Sequence, residues 1–139
     1  MSQESVELVL RGYRAFIDGD FDAIEQLLAP EIVWYPIGGD EGAYADREQA
    51  LEAIREAHAE GHRVELERCV GVGDDVIVAF RAARESRDEH DPRPLQSRRT
   101  FTVARYSAVV SIEEGRVARV RDYPHLGAAL EAVGLDEHA

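Results

Sequence analysis

Asp122 is the side chain with the clearest chemical potential in this sequence. It alternates with Val120 and Ala118 along a β-branched run, so the three share one face if that run is a strand. A carboxyl held against an apolar wall loses the hydration of its charged form, and its pKa climbs towards the range useful to a general acid or base. The competing role is a structural ion pair with Arg105 or another arginine, which pulls the pKa the other way. His125, three residues further on, has the chemistry of a proton relay. It is equally placed to bond the free backbone donors at the start of a helix. Tyr13 carries a hydroxyl able to orient a carbonyl oxygen, and as a helix-facing aromatic it also suits a core. His58 and His62 are four residues apart and could share a face, but no third ligand lies near them. They read as cations complementing a helix C-terminus, and no metal is expected.

Other chemistries lack support. There is no Gly-x-Ser-x-Gly, no Cys/His dyad and no His-Glu-x-x-His. The stretch Gly38-Gly39-Asp40-Glu41-Gly42 has the glycines of a phosphate cradle but two acidic residues in it and no lysine, so phosphate binding is disfavoured. No motif calls for a cofactor. Cys69 is the single cysteine, which excludes an internal disulfide and suits an inert thiol in a strand. With 16 basic and 28 acidic residues the net charge is −12, and such a surface repels phosphate backbones and anionic membranes. Nucleic acid and membrane partners are not expected. No apolar run approaches the roughly 18 residues of a membrane span. The opening Met1-Ser2-Gln3-Glu4-Ser5 shows neither a signal nor a transit peptide, so the expected location is cytoplasmic.

These groups need a scaffold, and 139 residues of which 45% are hydrophobic suffice for one domain, 1–139. Val6, Val9, Leu10, Tyr13, Phe16 and Ile17 recur at helical spacing until Asp18-Gly19-Asp20 breaks the pattern. Phe21, Ile24, Leu27 and Leu28 predict a shorter second helix, stopped at Ala29-Pro30. Ile32-Val33-Trp34-Tyr35 reads as a short strand. Asp46 and Gln49 form a capping-box pattern opening a third helix that runs to about Glu60. From there the period becomes alternating. Strands are predicted over roughly Arg63 to Val72, Val76 to Ser86, Arg98 to Ile112 and Arg116 to Tyr123, with a polar loop from Arg87 to Pro94. Short turns between them imply an antiparallel meander. Pro124 opens a last short helix that Gly134 closes. The fold class is α+β: a cone-shaped, curved antiparallel sheet wrapped around three N-terminal helices and enclosing a pocket.

The string from Tyr13 through Gly19-Asp20 to Pro30-Glu31 resembles the helix-Gly-Asp-helix opening of the nuclear transport factor 2-like superfamily. That group includes ketosteroid isomerases and SnoaL-like polyketide cyclases. Gly115 to Tyr123, followed by Ala129-Leu130-Glu131-Ala132-Val133-Gly134-Leu135, is similar to its last strand and closing segment. The resemblance spans nearly the whole chain and implies the cone fold, a small-molecule pocket and a homodimer through the outer sheet face. A ketosteroid isomerase site comprises an aspartate base and an oxyanion hole of a tyrosine and a protonated aspartic acid. By this resemblance Tyr13 keeps the tyrosine, but Tyr35 stands at the base position and Ser107 at the protonated aspartate. Steroid isomerase activity is therefore not expected. SnoaL-like cyclases resemble this chain in having an aspartate near the end of the last strand, where Asp122 lies.

Counting from Gly115 in the family register turns Ser107 inward, and alternation carries Phe101, Val103, Arg105 and Val109 with it, beside Ala118, Val120 and Asp122. Tyr35 rather than Trp34 is assigned to the cavity, although it also suits a core or a dimer interface. Arg119, Arg121, Thr102 and Tyr106 fall on the outer face. The expected ligand is a small apolar or carbonyl-bearing molecule. The chain is either a pocket protein that only binds, its Asp122 locked to an arginine, or an acid/base enzyme of cyclase, isomerase or dehydratase type working through Asp122.

Overall fold

The computed structural model describes residues 2–37, 43–87 and 99–135, with the side chains of Ser2, 84–87 and 99–103 excepted. The glycine-rich stretch at 38–42 and all but the first residue of the polar loop expected at 87–94 lie outside the described residues. Nine elements follow in the order α1 (Ser2–Asp18), α2 (Phe21–Leu27), β1 (Leu28–Tyr35), α3 (Arg47–Ala59), β2 (Arg63–Val72), β3 (Asp75–Arg87), β4 (Arg99–Glu113), β5 (Arg116–Tyr123) and α4 (Leu126–Ala132). The curved sheet has the order β1-β5-β4-β3-β2. Neighbours from β2 to β5 are antiparallel, as the short turns predict.

The first strand departs from the expected meander. It begins at Leu28, runs through Pro30 and pairs parallel to β5. Proline ends the second helix as expected, yet it sits within a strand. β1 is an edge strand, so one side of its backbone needs no partner and the missing proline N–H leaves no gap in a ladder. The pairing register shifts between Leu28 and Val33.

Local chemistry fixes the helix ends. Gly19 takes a φ of +70°, the left-handed conformation that terminates α1, and the Asp20 N–H bonds the Ala15 carbonyl at 2.8 Å. The Asp20 carboxylate then accepts from the Ala23 N–H at 3.2 Å and caps α2. Asp46 caps α3 by accepting from the Gln49 N–H at 2.9 Å. Gln49 reaches back to the Ala45 N–H, one residue earlier than in a standard capping box.

Helices cover both faces of the sheet. Leu8, Ala15, Ile24, Ala50 and Leu51 from the three helices bury the concave face, packing on Leu28, Ile32, Val76, Val78, Ala108, Val110 and Val120 of the sheet. On the reverse face, α4 lays Ala129 and Leu130 over Ile77 and Val109. Residues of β3 and β4 thus alternate between two cores, and each side chain's parity decides which compartment it enters.

Candidate functional site

Asp122 lies one residue from the end of β5, opposite Ala108 on β4 and on the concave face with Val110 and Val120. β1 brings Trp34 to the same face, opposite Val120. The indole Nε1–H donates to Asp122 Oδ2 at 3.1 Å. Asp122 Oδ1 is buried and has no hydrogen-bond partner. Burial pushes the Asp122 pKa up to about 6, against the opposing pull of the Trp34 hydrogen bond.

Tyr106 belongs to this site. It sits two residues from Ala108 on the Asp122 face of β4, with its ring 5.1 Å from that of Phe80 and tilted by 31°. Burial, aided by the negative charge of Asp122, pushes its phenol up to about 12. The influence runs one way, because the phenol is neutral throughout the range where Asp122 titrates.

The expected ion pair with Arg105 is not formed. Arg105 points to the reverse face, where its Nε donates to Glu67 Oε1 at 3.0 Å with the side chain 71% exposed. Val109 packs beneath α4. Ser107 is buried with an unpartnered Oγ, but it opposes Tyr123 and not Asp122. The inward set of Arg105, Ser107 and Val109 is therefore displaced by one residue, and Tyr106, expected outside, lies inside.

A β-bulge on β5 explains why Ser107 and Asp122 do not share a face. The turn register pairs Ile112 with Val117, and carried on unbroken it would set Ser107 opposite Asp122. The ladder slips by one between Ser111 and Ile112, which puts Ala108 there instead. The extra residue is Ala118 on β5, so the reversal falls on that strand: Val117 and Val120 both enter the concave core, whereas Ile112, Val110 and Ala108 of β4 alternate without a break. Val120 is buried on the concave face as expected. The side chains of Phe101 and Val103 lie outside the described residues.

Tyr35 also falls on the opposite face from its expected place. It pairs with Arg121, whose guanidinium carbon stands 4.2 Å from the Tyr35 ring centre, a cation–π contact. Trp34 takes the concave face in its stead. Tyr13 bridges α1 to β2, its hydroxyl donating to the Val64 carbonyl at 2.9 Å. Only its oxygen lone pairs remain for a ligand.

His125 caps α4. Its Nδ1 accepts from the Ala128 N–H at 3.1 Å, which requires Nδ1 to be unprotonated and leaves Nε2 as the ring's outward position. His125→Ala is expected to lower stability by roughly 1 kcal/mol, as lost caps do, read as a fall in Tm; His125→Asp, which restores an acceptor, should recover most of it. His58 closes α3 as an aromatic and packs edge-on against Phe16 and Phe21 at 5.6 and 5.4 Å. His62 contacts Glu60 at 3.5 Å. Among the described residues no group of three or more His, Cys, Asp or Glu is placed to hold a metal, and no helix is long and apolar enough to cross a membrane. Cys69 is half-buried in β2, and burial raises its thiol pKa.

A cleft of about 430 Å³ lies at the other end of β5, between α1 and the β2–β3 and β4–β5 turns. Glu4, Glu7, Arg11, Asp74, Ile112 and Glu114 are among its lining residues, and none of the Asp122 group reaches it.

Trp34 and Tyr106 were the site residues hardest to find in the sequence. Their aromatic character was visible, but the facing of Trp34 depended on a parallel pairing and that of Tyr106 on which face of β4 the helices cover, and no local pattern marks either.

Comparison with known proteins places this arrangement. An LEH-like epoxide hydrolase of M. tuberculosis superposes with a TM-score of 0.68 at 18% identity, over 88% of this chain and 83% of its own. Bal32a, from a soil-derived mobile gene cassette, gives 0.71 at 21% identity over 88% and 89%. TerC, crystallised with polyporic acid, gives 0.68 at 19% identity over 92% and 96%. At such identities these proteins share the fold and no more. No curated protein matches the chain. The model of the SnoaL-like domain matches residues 9–120, most of the chain and all of the sheet but the last three residues of β5, and the protein belongs to the SnoaL-like family.

Proposed function

We propose that the protein is an acid/base enzyme acting on a small, largely apolar, carbonyl-bearing molecule, with Asp122 as the group that takes and returns the proton. The observation that carries this reading is the state of the Asp122 carboxyl. One oxygen is held by Trp34 and the other is buried and unpartnered, while Arg105 is committed to Glu67 on the far side of the sheet. The binding-only reading expected Asp122 locked to an arginine, and Arg105 does not supply that lock. A carboxyl with a pKa near 6 is a better base than an ordinary aspartate and still ionises at neutral pH, which is the compromise that proton transfer from carbon requires. Such a transfer needs no redox group. Cytoplasmic location and a homodimer through the reverse sheet face, where Arg81–Glu65 and Arg105–Glu67 pairs stand towards solvent, complete the proposal.

The test combines two measurements. Carboxyl NMR, with Asp122→Asn for assignment, should place the Asp122 titration near 6. Deuterium exchange at the α-carbons of a panel of small apolar ketones should be accelerated by the wild type as pH rises through that value, and Asp122→Asn should slow it by about a hundredfold or more. A titration at or below 3.8, or undiminished exchange in the variant, would sink the reading.

A further inference from the structure

The geometry points to Tyr106 as the second ligand-binding group of this site, a phenol that donates its hydrogen bond to the carbonyl oxygen of the molecule on which Asp122 acts. The inference rests on the acid/base reading of Asp122 and adds to it a residue that fixes the orientation of the substrate.

The sheet places the two groups. Leu66 opposes Phe80, Phe80 opposes Tyr106, and Ala108 opposes Asp122, so a row of side chains crosses four strands on the concave face. Tyr106 and Asp122 are diagonal neighbours, a relation that separates strand positions by about 7–8 Å and still lets long side chains meet. They do not bond through the free oxygen, since Asp122 Oδ1 has no partner, and Oδ2 already holds the Trp34 indole. Two polar groups therefore share an apolar face without satisfying each other there. A ligand presenting a carbonyl oxygen to one and an acidic C–H to the other would satisfy both.

The direction of the hydrogen bond follows from the surroundings. Both burial and the Asp122 charge disfavour the phenolate, so Tyr106 keeps its proton wherever Asp122 is ionised. A phenol that stays protonated at neutral pH is a donor to the carbonyl and not a competing base. Phe80 lies against its ring and restricts the plane in which the hydroxyl points.

The experiment uses 2-acetylnaphthalene, carbon-13 labelled at the carbonyl, with the wild type, Tyr106→Phe and Asp122→Asn. Binding is followed by fluorescence, and hydrogen bonding to the ketone by the carbonyl resonance. Tyr106→Phe keeps the ring against Phe80, and its Tm checks the fold. The expected result is a loss of affinity on the order of tenfold in Tyr106→Phe. The bound carbonyl resonance should also move back towards its value in an apolar solvent, with the Asp122 titration still near 6.

Unchanged affinity and resonance in Tyr106→Phe would overturn the inference, as would failure of the wild type to bind the ketone. A displaced Asp122 titration in Tyr106→Phe would also overturn it, because the phenol would then be serving the carboxylate. These outcomes are separable from failure of the acid/base reading, which shows as a wild-type Asp122 titrating at or below 3.8 however Tyr106→Phe behaves.

Discussion

Asp122→Asn is expected to remove a fall in stability of about 3 kcal/mol that the wild type undergoes as pH rises from about 4 to about 6. The sign follows from linkage. The carboxyl has a model value of 3.8 and a folded value of about 6, so between them the folded chain keeps a proton that the unfolded chain has lost. Stability from this group is full below 3.8, declines through the interval, and is gone once the folded protein ionises. Other carboxylates add their own pH dependence, so the measurement is the difference between wild type and variant in urea midpoints at several pH values. That difference should change between pH 4 and pH 6.5 and be flat outside the window. A difference independent of pH would mean that the carboxylate is as well solvated in the fold as out of it. A protein that accepts such a cost at neutral pH gains a carboxyl of altered basicity, which is the usual bargain of an acid/base site.

Trp34 carries the second large effect, because it does two things at once. Its indole packs against the main core and its N–H holds Asp122 Oδ2. Trp34→Ala removes both and is expected to cost about 3 kcal/mol or more, in the range of large aromatic truncations. Trp34→Phe retains most of the packing and removes the hydrogen bond that favours the charged carboxyl. The Asp122 titration should then move above its wild-type position, and the pH at which the protein becomes an effective base should move with it. NMR titration of Trp34→Phe reads this directly. An Asp122 pKa unmoved or lowered in that variant would show that the indole contributes packing alone.

Much of the architecture could be read before any coordinates. The helical spacing of Val6 to Ile17, the Asp18-Gly19-Asp20 break that ends the first helix, and the Asp46 cap that opens the third are local signals. Each depends on residues only a few positions apart. Asp122 was legible for a similar reason: an aspartate alternating with Val120 near the end of a strand is a pattern within one segment.

The site around it was not legible, because its geometry depends on partners distant in the chain. β1 joins β5 in parallel, which brings Trp34 to a carboxyl 88 residues away. Nothing near Trp34 says which of two adjacent aromatics will face inward. On β4 the alternation runs unbroken and puts Tyr106, Ala108 and Val110 inside instead of Arg105, Ser107 and Val109, while the unpaired Ala118 on β5 turns Asp122 to that same face. Helices on both faces hid the error, since Val109 and Val110 are equally apolar and each finds a core to enter.

Element order, fold class and an aspartate on an apolar strand were all readable from local pattern. Pairing between distant strands is what set Arg105 on the other face from this aspartate, gave one of its oxygens to Trp34, and stood Tyr106 beside it. Elements arise from local periodicity and capping, whereas facing is set by strand pairing across long stretches of chain, where a single inserted residue reverses the answer.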